Sequence, residues 1–135
     1  MNHPNLEIIE RFFEAYGRRD PIALEQVLAR DVQWTFPGQH PLAGTSAGIE
    51  AVVAFFDAMG RIMGSSNIQV EILVTGANDD YVAETQHIRT SRADGNNLEQ
   101  TWCVLWRFAD GKIVSGRHLA SDQQTVDTFF GKLNS

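Results

Sequence analysis

The sequence contains little of several residue types, and each scarcity excludes a class of protein or site. A single cysteine, Cys103, excludes an intramolecular disulfide and a cysteine-based zinc site. The 11 lysines and arginines are outnumbered by 17 acidic residues and form no cluster, whereas nucleic-acid-binding proteins usually carry a basic stripe. No segment approaches the run of about 18 apolar residues that spans a membrane, and the N-terminal stretch lacks the pattern of a signal peptide. We therefore expect a cytoplasmic protein that binds neither nucleic acid nor membranes.

Motifs for metals and cofactors are also missing. The stretch AGTSAG at 43–48 has neither the lysine nor the preceding strand of a phosphate-binding loop. The histidines have no aspartate or glutamate at the spacing that metal ligands need. We therefore expect no cofactor and no metal site.

The first half of the chain has the apolar periodicity of helices. The length favours a single domain over residues 1–135. Apolar residues recur at helical spacing from Pro4 to Arg18, and Asp20-Pro21 begins a short second helix that includes Leu28. Val32–Phe36 alternates as a strand. After a loop, a broad apolar stripe from Ile49 to Met59 predicts a third helix.

The second half alternates in the manner of β-strands. Asp94-Gly95 and Asp110-Gly111 are hairpin signals, and a helix ends the chain. Helices followed by a run of strands predict an α+β fold, in which a curved antiparallel sheet wraps around the N-terminal helices as a cone-shaped barrel. Such a cone leaves a hollow that suits a small ligand. The four predicted strands are Ile68–Val74, Tyr81–Thr90, Leu98–Phe108 and Lys112–Ala120.

Three stretches resemble one known superfamily. They are RFFEAYGRRDPIALEQVLARDVQWTFPG at 11–38, LAGTSAGIEAVVAFF at 42–56 and LWRFADGKIVSGR at 105–117. On these stretches the chain resembles the nuclear transport factor two-like superfamily, in particular its SnoaL-like and ketosteroid-isomerase-like branch. The resemblance covers nearly the whole chain and implies the cone-shaped α+β fold. It does not imply one reaction, because the same scaffold carries isomerases, cyclases, epoxide hydrolases, dehydratases and non-catalytic binders.

The resemblance also implies positions for catalytic residues. The base, the tyrosine and the second acid of ketosteroid isomerases fall near Phe36, Phe12 and Val104, which supply no titratable group. Limonene-type epoxide hydrolases carry an aspartate near the position of His118. SnoaL-like cyclases use an acid–base group on the last strand and a histidine on the neighbouring strand, which His118 and His87 match in position. The resemblance therefore leaves the reaction type open.

His118 is the strongest candidate for a residue that faces the ligand. If Lys112–Ala120 is a strand, Gly116, His118 and Ala120 share one face, and the two small neighbours leave room for a ligand. An imidazole can act as a general acid or base near pH 7. The alternative is a partly exposed histidine that is bonded to a nearby carbonyl.

Two further residues are candidates for catalytic groups. Counting through the turn at Asp94-Gly95 places His87 on the cavity face, although a slip of one residue turns it outward. Asp122 either orients the His118 ring or lies in the first turn of the last helix. The spacing Ser121-x-x-Gln124, which is typical of a capping box, favours the second alternative.

Aromatic residues are numerous for so short a chain and predict an aromatic wall around the hollow. Large rings bury much area in fixed geometry, so such a wall selects an apolar or planar ligand. Tyr16 lies one helical turn after Phe12, and its phenol is a candidate donor in the hollow. The predicted substrate-binding residues are Phe12, Tyr16, Trp34, Phe36, Phe56, Trp102 and Val104.

Two hypotheses for function follow. The first is an enzyme that cyclises, isomerises or hydrates a small apolar molecule without a cofactor. In it His118 moves the proton, and His87 or Tyr16 stabilises the developing charge. The second is a binding module of the same fold without chemistry. In both, we expect a second copy of the chain to cover the sheet face that carries Cys103 and Leu105, which makes the protein a homodimer.

Overall fold

The computed structural model describes residues 3–64 and 67–133. Four α-helices and six β-strands follow one another in this part of the chain. The helices are α1 (Pro4–Arg18), α2 (Pro21–Val27), α3 (Ile49–Met63) and α4 (Gln123–Leu133). The strands are β1 (Leu28–Phe36), β2 (Gly44–Ala47), β3 (Gln69–Ala77), β4 (Tyr81–Arg89), β5 (Glu99–Ala109) and β6 (Lys112–Ala120).

Local capping explains where the first two helices begin. Pro4 is in the first turn of α1, where a missing N–H costs little, and the His3 ring accepts a hydrogen bond from the Asn5 N–H. The Asp20 carboxylate caps α2 by accepting a hydrogen bond from the Ala23 N–H at 3.2 Å. The predicted bounds of α1 agree with the structure, whereas Leu28, which was predicted in the second helix, begins β1.

The six strands form one curved, open sheet in the order β2-β1-β6-β5-β4-β3. Neighbouring strands are antiparallel except β1 and β6, which run parallel. The predicted α+β architecture is confirmed, but the prediction of a purely antiparallel sheet is wrong at this pair. A parallel pair needs a long connection, and the chain between β1 and β6 is long enough to hold α3 and four strands.

The helices cover one face of the sheet, which we call the inner face; the opposite face is the outer face. Trp102, Val104 and Trp106 of β5 point from the inner face into the core, where Phe12 of α1 and Phe55 of α3 are also buried. The edge strand β3 is exposed along its whole length. Across residues 3–64 and 67–133, each helix is too short or too polar to cross a membrane.

Candidate functional site

A cavity of about 840 Å3 lies between the inner face of the sheet and helices α1 and α3. This volume is within the range of pockets that hold small organic molecules. The side chains that line the cavity are mainly apolar, and its polar lining residues are Glu10, Glu14, Glu84, Gln86 and His118. The aromatic residues that line it are Phe13, Tyr16, Trp34, Phe56, Trp102 and Trp106.

His118 lies on the inner face near the end of β6, where it pairs with Val104. It is 4% exposed, and the centroids of the Trp102 and Phe36 rings lie 4.8 and 5.0 Å from the centroid of its own ring. Neither ring nitrogen has a hydrogen-bond partner among the described residues. Burial lowers the pKa of His118 to about 3, because desolvation penalises the charged imidazole. The ring is therefore neutral near pH 7, where it can donate or accept a hydrogen bond without carrying charge.

The space over Gly116 is filled by a protein side chain, contrary to the prediction that it leaves room for a ligand. Gly116 pairs with Trp34 of β1. A Cβ atom at position 116 would lie 1.9 Å from Cζ3 of the Trp34 ring, far inside van der Waals contact. The absence of a side chain at position 116 therefore leaves the space that the Trp34 ring occupies, and this ring forms part of the cavity wall.

His87 lies on the outer face, so the predicted cavity-facing placement is wrong. It pairs with Thr101, and its Nε2 atom lies 3.1 Å from Oε2 of Glu99. The same carboxylate oxygen accepts a hydrogen bond from Arg89 at 2.9 Å. The connection from β4 to β5 is longer than the tight turn that the prediction assumed. The resulting shift of one residue turns every β4 side chain to the opposite face.

Asp122 caps α4, so the alternative in which it orients the His118 ring is wrong. Its carboxylate accepts hydrogen bonds from the Thr125 N–H at 3.3 Å and from the Thr125 hydroxyl at 2.9 Å. The residue is exposed, whereas the His118 ring is buried and unpartnered. The structure thus agrees with the helix-cap alternative, with Asp122 as the capping residue in place of Ser121.

Two polar residues of the cavity, Glu84 and Gln86 of β4, are absent from the predicted site. The Gln86 side-chain oxygen accepts a hydrogen bond from Nε1 of Trp102 at 2.9 Å, and its amide donates to Oε1 of Glu84. Glu84 pairs with Val104, which pairs with His118 on its other side. A carboxylate and a neutral imidazole therefore face the cavity from two strands about 10 Å apart.

The predicted aromatic wall is present in part. Phe12 and Phe36 are each 1% exposed and pack in the core behind the lining residues. The predicted binding residues that do line the cavity are Tyr16, Trp34, Phe56, Trp102 and Val104.

The Tyr16 ring lines the cavity, but its hydroxyl is engaged by another helix. The hydroxyl donates to Oδ1 of Asp57 at 2.7 Å, and the Arg19 guanidinium lies 2.6 Å from the same oxygen. Burial raises the pKa of Tyr16 to about 12, and the hydrogen bond to Asp57 acts in the same direction. These three residues, which we call the helix latch, tie α1 to α3. The hydroxyl is therefore not the free cavity donor that the sequence predicts.

The charged residues that line the cavity are all acidic. Glu10 and Glu14 are exposed on α1, and Glu84 is partly buried on β4. Within the described ranges, none of the three forms an ion pair. Among those same residues, no three histidine, cysteine or acidic side chains are grouped closely enough to hold a metal ion.

Comparison with known proteins places this fold in a family. Residues 9–116 match the family described as SnoaL-like domain. The uncharacterised protein Rv0034 of Mycobacterium tuberculosis is 31% identical over 127 residues, which cover 93% of this chain and 95% of the relative. The crystal structure of an NTF2-like protein from Burkholderia xenovorans is 25% identical and has a TM-score of 0.73, covering 94% of this chain and 95% of that one.

A further solved structure shares the fold at lower identity. It is TerC co-crystallised with polyporic acid, which is 18% identical with a TM-score of 0.73 and covers 95% of this chain and 98% of TerC. The family match covers most of the chain and agrees with the cavity-bearing architecture. The protein therefore belongs to the SnoaL-like domain family of the NTF2-like superfamily.

Proposed function

We propose that the protein binds a small, largely apolar organic molecule in the cavity between the sheet and helices α1 and α3. The observation that carries this proposal is a cavity of about 840 Å3 with six aromatic side chains in its lining. Large rings offer apolar area at little cost in conformational entropy, and they favour planar ligands. The co-crystal of TerC with polyporic acid supports the proposal, because it pairs a relative of this fold with an organic ligand.

The buried, unpartnered ring of His118 also supports a ligand. Leaving a buried polar group without a partner costs about 1–3 kcal/mol. A ligand with a hydrogen-bonding group that reaches the ring would offset that cost. The bound molecule is thus apolar over most of its surface, with a polar group near His118.

Filling the cavity tests the proposal. Val104 is 4% exposed and lines the cavity between Glu84 and His118. In Val104→Trp we expect the affinity for the neutral fluorescent probe N-phenyl-1-naphthylamine to fall by roughly tenfold or more, about 1.4 kcal/mol. Val74 is 67% exposed on β3 and does not line the cavity, so Val74→Trp is the matched control. Equal probe affinity for the native protein and Val104→Trp, with circular dichroism spectra unchanged, would contradict the proposal.

Acid–base catalysis on the bound molecule is a second candidate function, and the positions of Glu84 and His118 favour it. The Glu84 carboxylate would take a proton from a carbon next to a carbonyl group, and the electron pair would move onto the carbonyl oxygen. The neutral His118 ring would donate a hydrogen bond to that oxygen. Glu84 would then return the proton to another carbon, which isomerises the substrate without a cofactor. Glu84 thus replaces His118 as the proton carrier, because burial holds the pKa of His118 at about 3.

Proton exchange on a model ketone distinguishes an enzyme from a binder. We expect the protein to accelerate deuterium incorporation at the α-carbon of 2-tetralone in D2O, as measured by NMR. Glu84→Gln should lower the accelerated rate by roughly a hundredfold, the usual contribution of a general base. Glu25→Gln, at an exposed position on α2, is the control. If deuterium exchange were as fast with Glu84→Gln as with the native protein, or if the native protein gave no faster exchange than buffer, the catalytic proposal would be contradicted and only ligand binding would remain.

We further propose that a second copy of the chain covers the outer face. Cys103 and Leu105 are only partly buried there, and Leu119, which pairs with Cys103, is 44% exposed. Apolar side chains on an open sheet face are often covered by a partner. Sedimentation at micromolar concentration tests this, since a species with the mass of one chain alone would contradict a homodimer.

A further inference from the structure

The carboxylates that line the cavity have no positive charge to balance them within it. Glu10 and Glu14 lie on one side of α1, four residues apart, and Glu84 lies on β4. Among the described lining residues there is no lysine or arginine, and His118 is neutral near pH 7. A ligand that enters this cavity therefore meets negative charge and no compensating cation.

The lining also offers the second element of a cation site, which is aromatic rings. The ring faces of tryptophan, tyrosine and phenylalanine attract organic cations through their negative electrostatic potential. Phe13, Tyr16 and Phe56 line the cavity from α1 and α3, and Phe13 is 45% exposed, so its ring is accessible to a ligand. Aromatic rings and unpaired carboxylates in one cavity favour the same kind of ligand.

We infer that the ligand of this cavity is an organic cation, namely an aromatic or otherwise apolar body that carries a protonated amine. The inference rests on the proposed ligand-binding function and names the ligand class. The apolar body packs against the aromatic lining, and the ammonium group lies where Glu10, Glu14 and Glu84 face the cavity. Carboxylates and phosphates of the same size are disfavoured, because like charges repel and no basic residue neutralises them.

The polar contacts of Glu84 leave it able to bind a donor. One of its carboxylate oxygens accepts a hydrogen bond from Gln86, whose own oxygen is held by Trp102. No hydrogen bond to the other oxygen, Oε2, occurs among the described residues. A protonated amine supplies donors and no acceptor, so it can bind the carboxylate oxygens of Glu84.

Three probes that differ in one substituent test the charge preference. They are naphthalen-1-ylmethylamine, naphthalen-1-ylmethanol and naphthalene-1-carboxylate, which are positive, neutral and negative near pH 7. By isothermal titration calorimetry we expect the amine to bind roughly tenfold more tightly than the alcohol, and the carboxylate to bind most weakly. Raising the salt concentration from about 20 mM to about 500 mM should reduce the preference for the amine, because the rim carboxylates are exposed and are screened.

Variants locate the preference. In the double variant Glu10→Gln/Glu14→Gln, and more strongly when Glu84→Gln is added, the ratio of amine affinity to alcohol affinity should fall towards one. The control Glu25→Gln removes one exposed carboxylate from α2, outside the cavity, and should keep the ratio.

The outcomes separate this inference from the function on which it rests. Alcohol binding as tight as amine binding, or carboxylate binding as tight as either, would overturn the cation preference while the cavity remains a ligand site. Failure of all three probes and of N-phenyl-1-naphthylamine to bind would overturn both. A ratio that survives in the triple glutamine variant would also overturn the inference, because the carboxylates would then not cause the preference.

Discussion

Gly116→Ala is expected to lower the free energy of unfolding by about 1–3 kcal/mol, the usual cost of overpacking a core. Alanine is normally more favourable than glycine in a strand, so the expected loss of stability has to come from the contact between the new Cβ and Trp34. The new Cβ would lie 1.9, 2.3 and 2.4 Å from three atoms of the six-membered ring of Trp34. Trp34 is 2% exposed and its ring packs against Trp106, so moving the ring away from the new Cβ disrupts core packing. Urea denaturation measures the change.

A matched glycine and a compensating change make this prediction specific. Gly76 is also in a strand, and a Cβ there would meet nothing within 4 Å, so Gly76→Ala should be neutral or slightly stabilising. Combining Gly116→Ala with Trp34→Phe removes part of the clashing ring. The double variant should therefore lose less stability than the sum of the two single variants. If the stability losses of the two single variants simply added in the double variant, or if Gly116→Ala were as stable as the native protein, Trp34 would not pack directly against Gly116.

Lowering the pH from about 6 to about 4 is expected to destabilise the protein strongly through His118. The folded pKa of His118 is about 3, against 6.5 in the unfolded chain. Between these values the unfolded state binds more protons, so the free energy of unfolding falls as the pH falls. The slope from this one group approaches about 1.4 kcal/mol per pH unit, so the change from pH 6 to pH 4 costs up to about 3 kcal/mol. Urea titrations at several pH values measure the slope.

The variant His118→Gln isolates this contribution. Glutamine is polar and does not titrate, so the pH slope should become shallower by nearly the full amount. Groups such as Asp94, whose hydrogen bonds with Arg92 lower its pKa to about 2, also weaken the fold at low pH, but they remain in both proteins. Identical slopes for His118→Gln and the native protein would show that the ring is not buried as described.

The hairpin that joins β5 and β6 was predictable from a local signal, but its register was not, because a bulge between Arg107 and Phe108 shifts the pairing by one residue. Asp110 and Gly111 both have positive φ angles, 54° and 75°, which suits the tight hairpin that an Asp-Gly pair indicates. Large apolar residues then alternate along β5, so that the inner face is evident from the sequence. His118 faces the cavity opposite Val104 because of this bulge; the unshifted register would pair it with Cys103 on the outer face.

The register of β4 was not predictable, and it decides which polar residues belong to the site. The central residues of β4 are polar on both faces, so alternation does not distinguish Gln86 from His87. The Thr90 N–H donates a hydrogen bond to the Leu98 carbonyl oxygen, and the residues between them form one loop. Asp94-Gly95 lies at the tip of this loop and does not form a two-residue turn by itself. A shift of one residue in the pairing of β4 with β5 therefore places Glu84 and Gln86 on the inner face and His87 on the outer face. Strand β2 was missed for a related reason, since its four small or polar residues are ordered by pairing with β1 rather than by their own pattern.

The helix latch can influence the width of the cavity through two residues, Arg19 and Asp57, that do not line it. Tyr16 and Phe56 belong to the two helices that face the sheet, and the hydrogen bond from Tyr16 to Asp57 fastens those helices to each other. The Arg19–Asp57 ion pair joins the same two helices. A substitution at Asp57 or Arg19 can therefore change the spacing of α1 and α3, and with it the room for a ligand, without changing a lining side chain.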